Sequence, residues 1–267
     1  MNQQSKVAVV GAGIMGEALI SALISSGVNP ELITISEKRA DRSAELIAKY
    51  SIRQAPLATN VAAADAILLV VKPQDMAAVL EEIKEFINPA AVVITFVAGK
   101  TISFISSALG TTNPVIRVMP NTPTMVGAGM AAASMGAGVT DDHKKFVLGF
   151  LAATGKVIEV SEDLQDAVTA TSGSGPAYFF AFVEAMVAGA KELGLSQEDA
   201  TTLTIQTIVG AAKLLDESGK SATTLRENVT SPNGTTAAAL ASFGASDLNS
   251  MVAKAMKAAS DRSQELA

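Results

Sequence analysis

Short, unbroken apolar runs punctuate the first 160 positions, with amphipathic stretches between them. Lys6-Val-Ala-Val-Val10, Leu32-Ile-Thr-Ile35, Ala66-Ile-Leu-Leu-Val-Val71, Val92-Val-Ile-Thr-Phe-Val97 and Val115-Ile-Arg-Val118 predict strands. Apolar runs that do not alternate with polar residues belong to strands covered on both faces, the usual state of a parallel sheet. Helical periodicity predicts helices near 14–26, 39–50, 75–86 and 102–109, another over 141–153, and a last strand at Val157-Ile-Glu-Val160. Repeated strand–helix–strand units of this size predict a doubly wound α/β sheet.

From about residue 163 the strand signal stops. Tyr178 to Leu193 is apolar almost all round, with Phe179, Phe182, Met186, Ala190 and Leu193 spaced by three and four, which predicts a buried helix; too few helices follow to cover it within one copy, so partner helices of a homodimer are expected to supply the cover. Ser196-Gln-Glu-Asp199 has the form of a capping box and opens a helix running to about Leu215. Shorter helices are predicted over 237–243 and from Ser246 onward, the latter with Leu248, Met251, Val252, Ala255, Met256 and Ala259 on one stripe. The pattern therefore divides the chain into an α/β domain, residues 1–162, and an all-α domain, residues 163–267.

Composition narrows the chemistry. The chain has 267 residues, 49% of them apolar, enough for a core, and no cysteine, which removes disulfides, thiolate metal sites and cysteine nucleophiles. Its one histidine, His143, leaves no two-imidazole site. A formal charge of −6 argues against nucleic acid as a partner. Residues 163–267 hold 12 acids against 7 bases, so the acidic surplus lies in the helical half. No run of 18 apolar residues occurs and the start, MNQQSKVAVVGAG, lacks a basic leader, so a cytoplasmic protein with no membrane segment is expected.

Gly11-Ala12-Gly13-Ile14-Met15-Gly16 follows the first strand and opens a helix. In that context the glycines suit a tight turn, a close backbone approach by a pyrophosphate, and close helix–strand packing. A Rossmann-like dinucleotide-binding domain is expected. The second strand runs into Ser36-Glu37-Lys38-Arg39. Ser36 stands at the usual acid position, and the hydroxyl with Lys38 and Arg39 suits the 2′-phosphate of NADP; Glu37 takes the ribose role of an NAD site if the strand ends one residue later. Val71-Lys72-Pro73 and Ala98-Gly99 fall at strand ends on the same sheet edge, where ligands of this fold bind. Arg117-Val-Met-Pro120-Asn121-Thr122-Pro123 predicts a rigid wall around a buried arginine, with functional and structural readings both open.

Two hydroxyl-rich loops precede helices in the second half: Thr171-Ser172-Gly173-Ser174-Gly175-Pro176 and Asn228-Val-Thr230-Ser231-Pro232-Asn233-Gly234-Thr235-Thr236. Together with a dinucleotide site they suggest a pocket for a small anionic substrate. In this order, GAGIMG, VKP, RVMPNTP, TSGSGPAY and VTSPNGTT resemble pyrroline-5-carboxylate reductases over almost the whole chain, the last two motifs being the specific ones.

The resemblance implies reduction of 1-pyrroline-5-carboxylate to L-proline by hydride from NAD(P)H; the Ser36-Glu37-Lys38-Arg39 segment favours NADPH, with NADH possible. It also implies a Rossmann domain followed by a helical substrate-binding and dimerisation domain, with subunits joined through the helical half as a homodimer or a multiple of one. Carried over by motif, Ser36, Val71, Lys72, Pro73, Ala98, Gly99 and Asn228 would touch the cofactor, and Ser231, Gly234, Thr235 and Thr236 the substrate. Thr236 is the candidate for the hydrogen bond to the imine nitrogen. The chain departs from the family at Asn233, where a glycine is usual, and at Lys100, where an apolar residue is usual. Two alternatives share the two-domain plan. A β-hydroxyacid dehydrogenase needs a lysine early in the helical half, where the first is Lys191; a non-catalytic NADP-binding regulatory protein would bind without turnover.

Overall fold

The computed structural model describes residues 1 and 3–266. Among them, eight strands form one sheet in the order β3-β2-β1-β4-β5-β6-β7-β8. The strands are β1 (Val7–Val10), β2 (Ile33–Ser36), β3 (Arg53–Gln54), β4 (Ala66–Leu69), β5 (Val92–Thr95), β6 (Val115–Met119), β7 (Gly129–Met135) and β8 (Gly155–Glu159). β1 to β6 run parallel; β7 lies antiparallel to β6, and β8 is parallel to β7. This is the expected doubly wound α/β sheet.

The unbroken apolar runs are explained by what covers each face. Val7 and Val9 of β1 and Ala66 and Leu68 of β4 join one core cluster with Leu19, Leu23, Leu46 and Phe150. Ala8 and Val10, with Ile67 and Leu69, join a second with Leu80, Ile83 and Ile105. Helices α1 (Ile14–Ser25), α2 (Ala40–Tyr50) and α6 (Asp141–Ala152) supply the first face; α3 (Leu57–Ala63), α4 (Met76–Ile83) and α5 (Ile102–Leu109) supply the second. Successive strand side chains point to opposite faces, so burial on both sides requires an apolar residue at every position.

Strands β3 and β7 and helix α3 were not expected. β3 has two exposed residues. β7 reads Gly-Met-Ala-Ala-Ala-Ser-Met, without the β-branched residues that mark the other strands; its alanines are buried where β6 and β8 flank it closely.

The chain forms two compact units, Met1–Ser174 with the C-terminal stretch from Ala259, and Gly175–Ala258. The first also contains α7 (Gln165–Val168), which continues into a wider helical turn over Thr169–Gly173. The second contains α8 (Gly175–Glu192), α9 (Gln197–Glu217), α10 (Ala222–Asn228), α11 (Thr235–Ala245) and the start of α12 (Leu248–Glu265). As expected, Ser196 caps α9, accepting the Asp199 amide at 3.0 Å. α10 was not foreseen, although Ser221 caps it in the same way.

One expected burial is left to a partner copy. The apolar helix over 178–193 is not buried: Phe179 is 62% and Phe180 63% exposed, and Gly175 is the one buried residue of α8. The residue pattern records burial that one copy of the chain does not provide. No helix among the described residues is long and apolar enough to cross a membrane.

Phe150 is 1% exposed, with its ring centroid 5.5 Å from that of Phe146 and 6.5 Å from that of Phe96. Phe150→Ala is expected to lower unfolding stability by about 3–5 kcal/mol, the usual cost of emptying a buried aromatic site. Urea titration measures this, and a loss below about 1 kcal/mol would show that the first-face core does not depend on this ring.

Candidate active site

Gly11 is the hinge of the turn between β1 and α1. Its amide donates to the Ser36 carbonyl at 3.0 Å. Its φ is +87°, and a Cβ there would lie 2.9 Å from the Val70 carbonyl oxygen. At Gly16 a Cβ would lie 2.5 Å from the Gly11 carbonyl oxygen. Gly13 differs, since a Cβ there would meet nothing within 4 Å. It precedes α1 with no side-chain cap, so the helix's first amides are left without a side-chain partner at the edge of an open cleft.

That cleft has a volume of about 890 Å³. It brings together Gly11, Gly13, Ile14, Ser36, Lys38, Arg39, Val71 and Lys72 from the residues expected at the cofactor. The turn, the uncapped helix and the cationic rim fit the phosphates of a dinucleotide. Other expected residues play a supporting part. Ala12 is fully buried, Met15 packs against the core, and Pro73 opens a short helical turn just beyond Lys72. Gly99, with φ +75°, lies against Leu266, whose Cβ a Cβ at Gly99 would approach to 2.6 Å. Ala98 precedes it in the same turn after β5 and is half-buried.

The end of β2 carries the sharpest difference from the sequence reading. The strand extends to Ser36, one residue later than expected, so Glu37 is the first residue beyond it. The Ser36 hydroxyl donates to the Ala55 carbonyl at 3.0 Å and accepts from the Asn60 amide at 3.0 Å. Glu37 lines the cleft and accepts from the amides of Ala12 at 2.9 Å and Arg39 at 3.1 Å. Burial pushes its carboxyl up, but these amides and the Arg39 side chain outweigh burial and hold it below the ordinary range. Gln54, Ala55, Pro56 and Leu57 also line the cleft. They come from the unforeseen edge strand and the start of α3, and no local motif marks them.

The wall motif resolves into structure. Arg117 is 5% exposed and lies 3.4 Å from Glu162 and 3.8 Å from Asp166. Asn121 accepts from the Met130 amide at 2.8 Å and donates to the Ser172 carbonyl at 3.1 Å, tying the wall to the first hydroxyl-rich loop. His143 belongs to the capping box of α6, where its amide donates to the Thr140 hydroxyl at 3.2 Å.

In the second unit, the second loop gathers the expected substrate residues on one short segment. Asn228 ends α10, and Thr235 and Thr236 are the first two residues of α11. Asn233 takes φ +59°, the left-handed conformation that asparagine tolerates better than most residues. The Gly234 amide donates to the Ser231 carbonyl at 3.0 Å. α11 begins after Gly234 with no side-chain cap; Ser231 is exposed and Thr236 half-buried. Lys100, the other departure, sits over the Phe104 ring at 4.7 Å. No cluster of three or more His, Cys, Asp or Glu able to hold a metal occurs among the described residues.

Residues 162–266 match a family model described as pyrroline-5-carboxylate reductase dimerisation, and residues 6–99 one described as NADP oxidoreductase coenzyme F420-dependent. Pyrroline-5-carboxylate reductase 1 of Bacillus spizizenii is 37% identical over 266 residues, covering 98% of this chain and 90% of the relative. A pyrroline-5-carboxylate reductase structure from Coxiella burnetii superposes with a TM-score of 0.91 at 34% identity, over 99% of each chain. The Plasmodium falciparum pyrroline carboxylate reductase, solved with NADP bound, gives 0.88 at 27% identity, over 100% of this chain and 99% of that one.

Glu17, in the first turn of α1, generates a pH-dependent prediction. Burial pushes its carboxyl up, but hydrogen bonds from Lys49, Arg42 and Tyr50 overcome this and bring it from 4.5 down to about 2. A carboxyl depressed by folding stabilises the native state above its unfolded value and loses that contribution as the pH falls toward the folded one. Stability should therefore decline between about pH 4.5 and 2 through this group. Glu17→Gln should flatten that part of the profile, and thermal melts across the acid range would contradict this if both proteins declined in parallel.

Proposed function

The chain belongs to the pyrroline-5-carboxylate reductase family, and we propose from that premise and from its geometry that it reduces 1-pyrroline-5-carboxylate to L-proline with NADPH. The observation that carries this reading is the near full-length match to such reductases, in a chain whose glycine turn opens onto a dinucleotide-sized cleft. The dinucleotide supplies the hydride for the imine carbon. Gly13 and Ile14 would hold its phosphates through their amides, with Lys38, Arg39 and Lys72 adding positive charge. Ser36 and Glu37 stand where the adenosine ribose is expected.

The working division assigns residues 1–162 to the dinucleotide and 163–267 to substrate and self-association. The reductase dimerisation model beginning at residue 162 supports it. A cyclic iminium carbon is already electrophilic once its nitrogen is protonated, so the protein needs to orient the ring and hold its carboxylate rather than provide a strong acid. The amides at the start of α11, with Ser231, Gly234 and Thr235, suit the carboxylate. The Thr236 hydroxyl is assigned the hydrogen bond to the ring nitrogen, and Asn228 contact with the cofactor. The exposed Phe179, Phe180 and Met186 of α8 support a homodimer, in which a second copy supplies the cover. Such a reaction, drawing on a free dinucleotide and a small imino acid, suits the cytoplasm.

NADPH oxidation followed at 340 nm with 1-pyrroline-5-carboxylate tests the function; absence of turnover would overturn it. Thr236→Ala is expected to lower kcat/KM by about 10- to 100-fold, the scale of one hydrogen bond to a charged group, while Thr236→Ser keeps most activity. An alanine variant with wild-type turnover would reduce Thr236 to a helix-start residue. Glu37→Ala should raise the preference for NADPH over NADH, because it removes a carboxylate that suits a ribose hydroxyl and repels a 2′-phosphate. An unchanged ratio of the two kcat/KM values would place the 2′-group elsewhere.

A further inference from the structure

Arg42 grips the glycine turn from behind. Its Nε donates to the Ala12 carbonyl at 3.1 Å, and one terminal nitrogen reaches the Gly13 carbonyl at 3.5 Å. The side chain is 13% exposed and is not part of the cleft lining. It is aimed by its ion pair with Glu17 and by a 2.8 Å bond to Glu45. Glu17 is fixed in turn by Lys49 at 2.8 Å and by the Tyr50 hydroxyl at 3.0 Å. On the other side Glu37 accepts the Ala12 amide. Both polar groups of Ala12's backbone are thus held by ionisable side chains.

The peptide plane gives this grip a consequence for binding. A trans peptide points its C=O and the following N–H in opposite directions. Holding the Ala12 carbonyl behind the turn therefore directs the Gly13 amide away from Arg42; the Gly13 carbonyl, which also accepts the Glu17 amide at 2.9 Å as the first bond of α1, directs the Ile14 amide the same way. Gly13 and Ile14 line the cleft. If the Ala12–Gly13 plane rotated, a carbonyl oxygen would face an anionic phosphate in place of a donor. We propose that Arg42 is a positioning residue for the dinucleotide, keeping these amides presented to its phosphates. The proposal rests on the reading of the cleft as the NADPH site. The competing role is a plain tether between α1 and α2, for which the ion pair with Glu17 alone suffices.

Arg42→Lys separates the two, since lysine keeps the charge but not the rigid fork that reaches both carbonyls. Lys49→Ala trims the exposed end of the same network and serves as the tether control. NADPH affinity is read from nucleotide fluorescence without substrate, kinetics with substrate, and folding from the melting temperature. Arg42→Lys is expected to raise Kd and KM for NADPH about tenfold, with kcat within about twofold and a melting temperature near wild type. Lys49→Ala should leave Kd unchanged. An Arg42→Lys protein that binds NADPH as tightly as wild type overturns the proposal, as does an equal loss in Lys49→Ala. Should Arg42→Lys melt early, Glu17→Gln keeps the packing but releases the charge that aims the guanidinium; its Kd should still rise, and a wild-type Kd overturns the proposal. A wild-type protein that binds no NADPH overturns the reading of the cleft itself, an outcome distinct from all of these.

Discussion

The approach of two backbones at Gly11 sets the geometry of the first unit. With the Val70 carbonyl oxygen 2.9 Å from where a Cβ would stand, β1 turns into α1 directly over the end of β4. Gly16 lets the first turn of α1 fold back onto the same peptide. β1 sits between β2 and β4 in the sheet, so the chain leaves it toward one side and returns on the other. That switch opens the cleft, and the glycine turn puts a helix N-terminus at its edge. A side chain at Gly11 would push the helix off the sheet and take the uncapped amides with it.

Carboxylates beside an anion site need explanation, and this turn has two. Glu17 lies one turn into α1 and Glu37 faces the cleft. Each has its charge engaged: Glu17 by Arg42 and Lys49, Glu37 by two backbone amides and Arg39. Depressed carboxyls held in this way are ionised above the ordinary carboxylate range. Glu37 also occupies the Ala12 amide, which leaves the amides of Gly13 and Ile14 as the donors on the cleft side.

What could be read from the sequence followed residue chemistry. Strands built from valine, isoleucine and leucine were found because a two-sided core demands unbroken apolar runs. The glycine turn was found because its spacing, strand and helix agree. β7 escaped because alanine carries no strand preference, and packing between two neighbours decided its state. The one-residue extension of β2 made Glu37, not Ser36, the first residue beyond the strand, and no local signal fixes a strand end that closely. Arg42 was invisible because its partners are carbonyls some thirty positions away. Helix α8 is legible as apolar and as needing cover from a second copy, since hydrophobic periodicity reports the buried state of the assembly.

Helix starts in this chain differ in how their first amides are met. Thr101, Thr140, Ser196 and Ser221 each accept an amide three residues on, so α5, α6, α9 and α10 have a first-turn donor satisfied by their own chain. α1 and α11 begin after glycines, Gly13 and Gly234, with no side-chain cap; α2, α3 and α4, which follow Arg39, Pro56 and Asp75, also lack one. Replacing glycine by serine or threonine there would ordinarily stabilise a helix by tenths of a kcal/mol or more. Forgoing that gain leaves amides and the helix dipole available to an external anion. In the first unit the adjoining cleft matches the phosphates of a dinucleotide. In the second, Thr235 and Thr236 follow the uncapped start, so backbone amides and two hydroxyls lie within one helical turn. Reduction of a cyclic imine asks for neither histidine nor cysteine, and this loop holds neither.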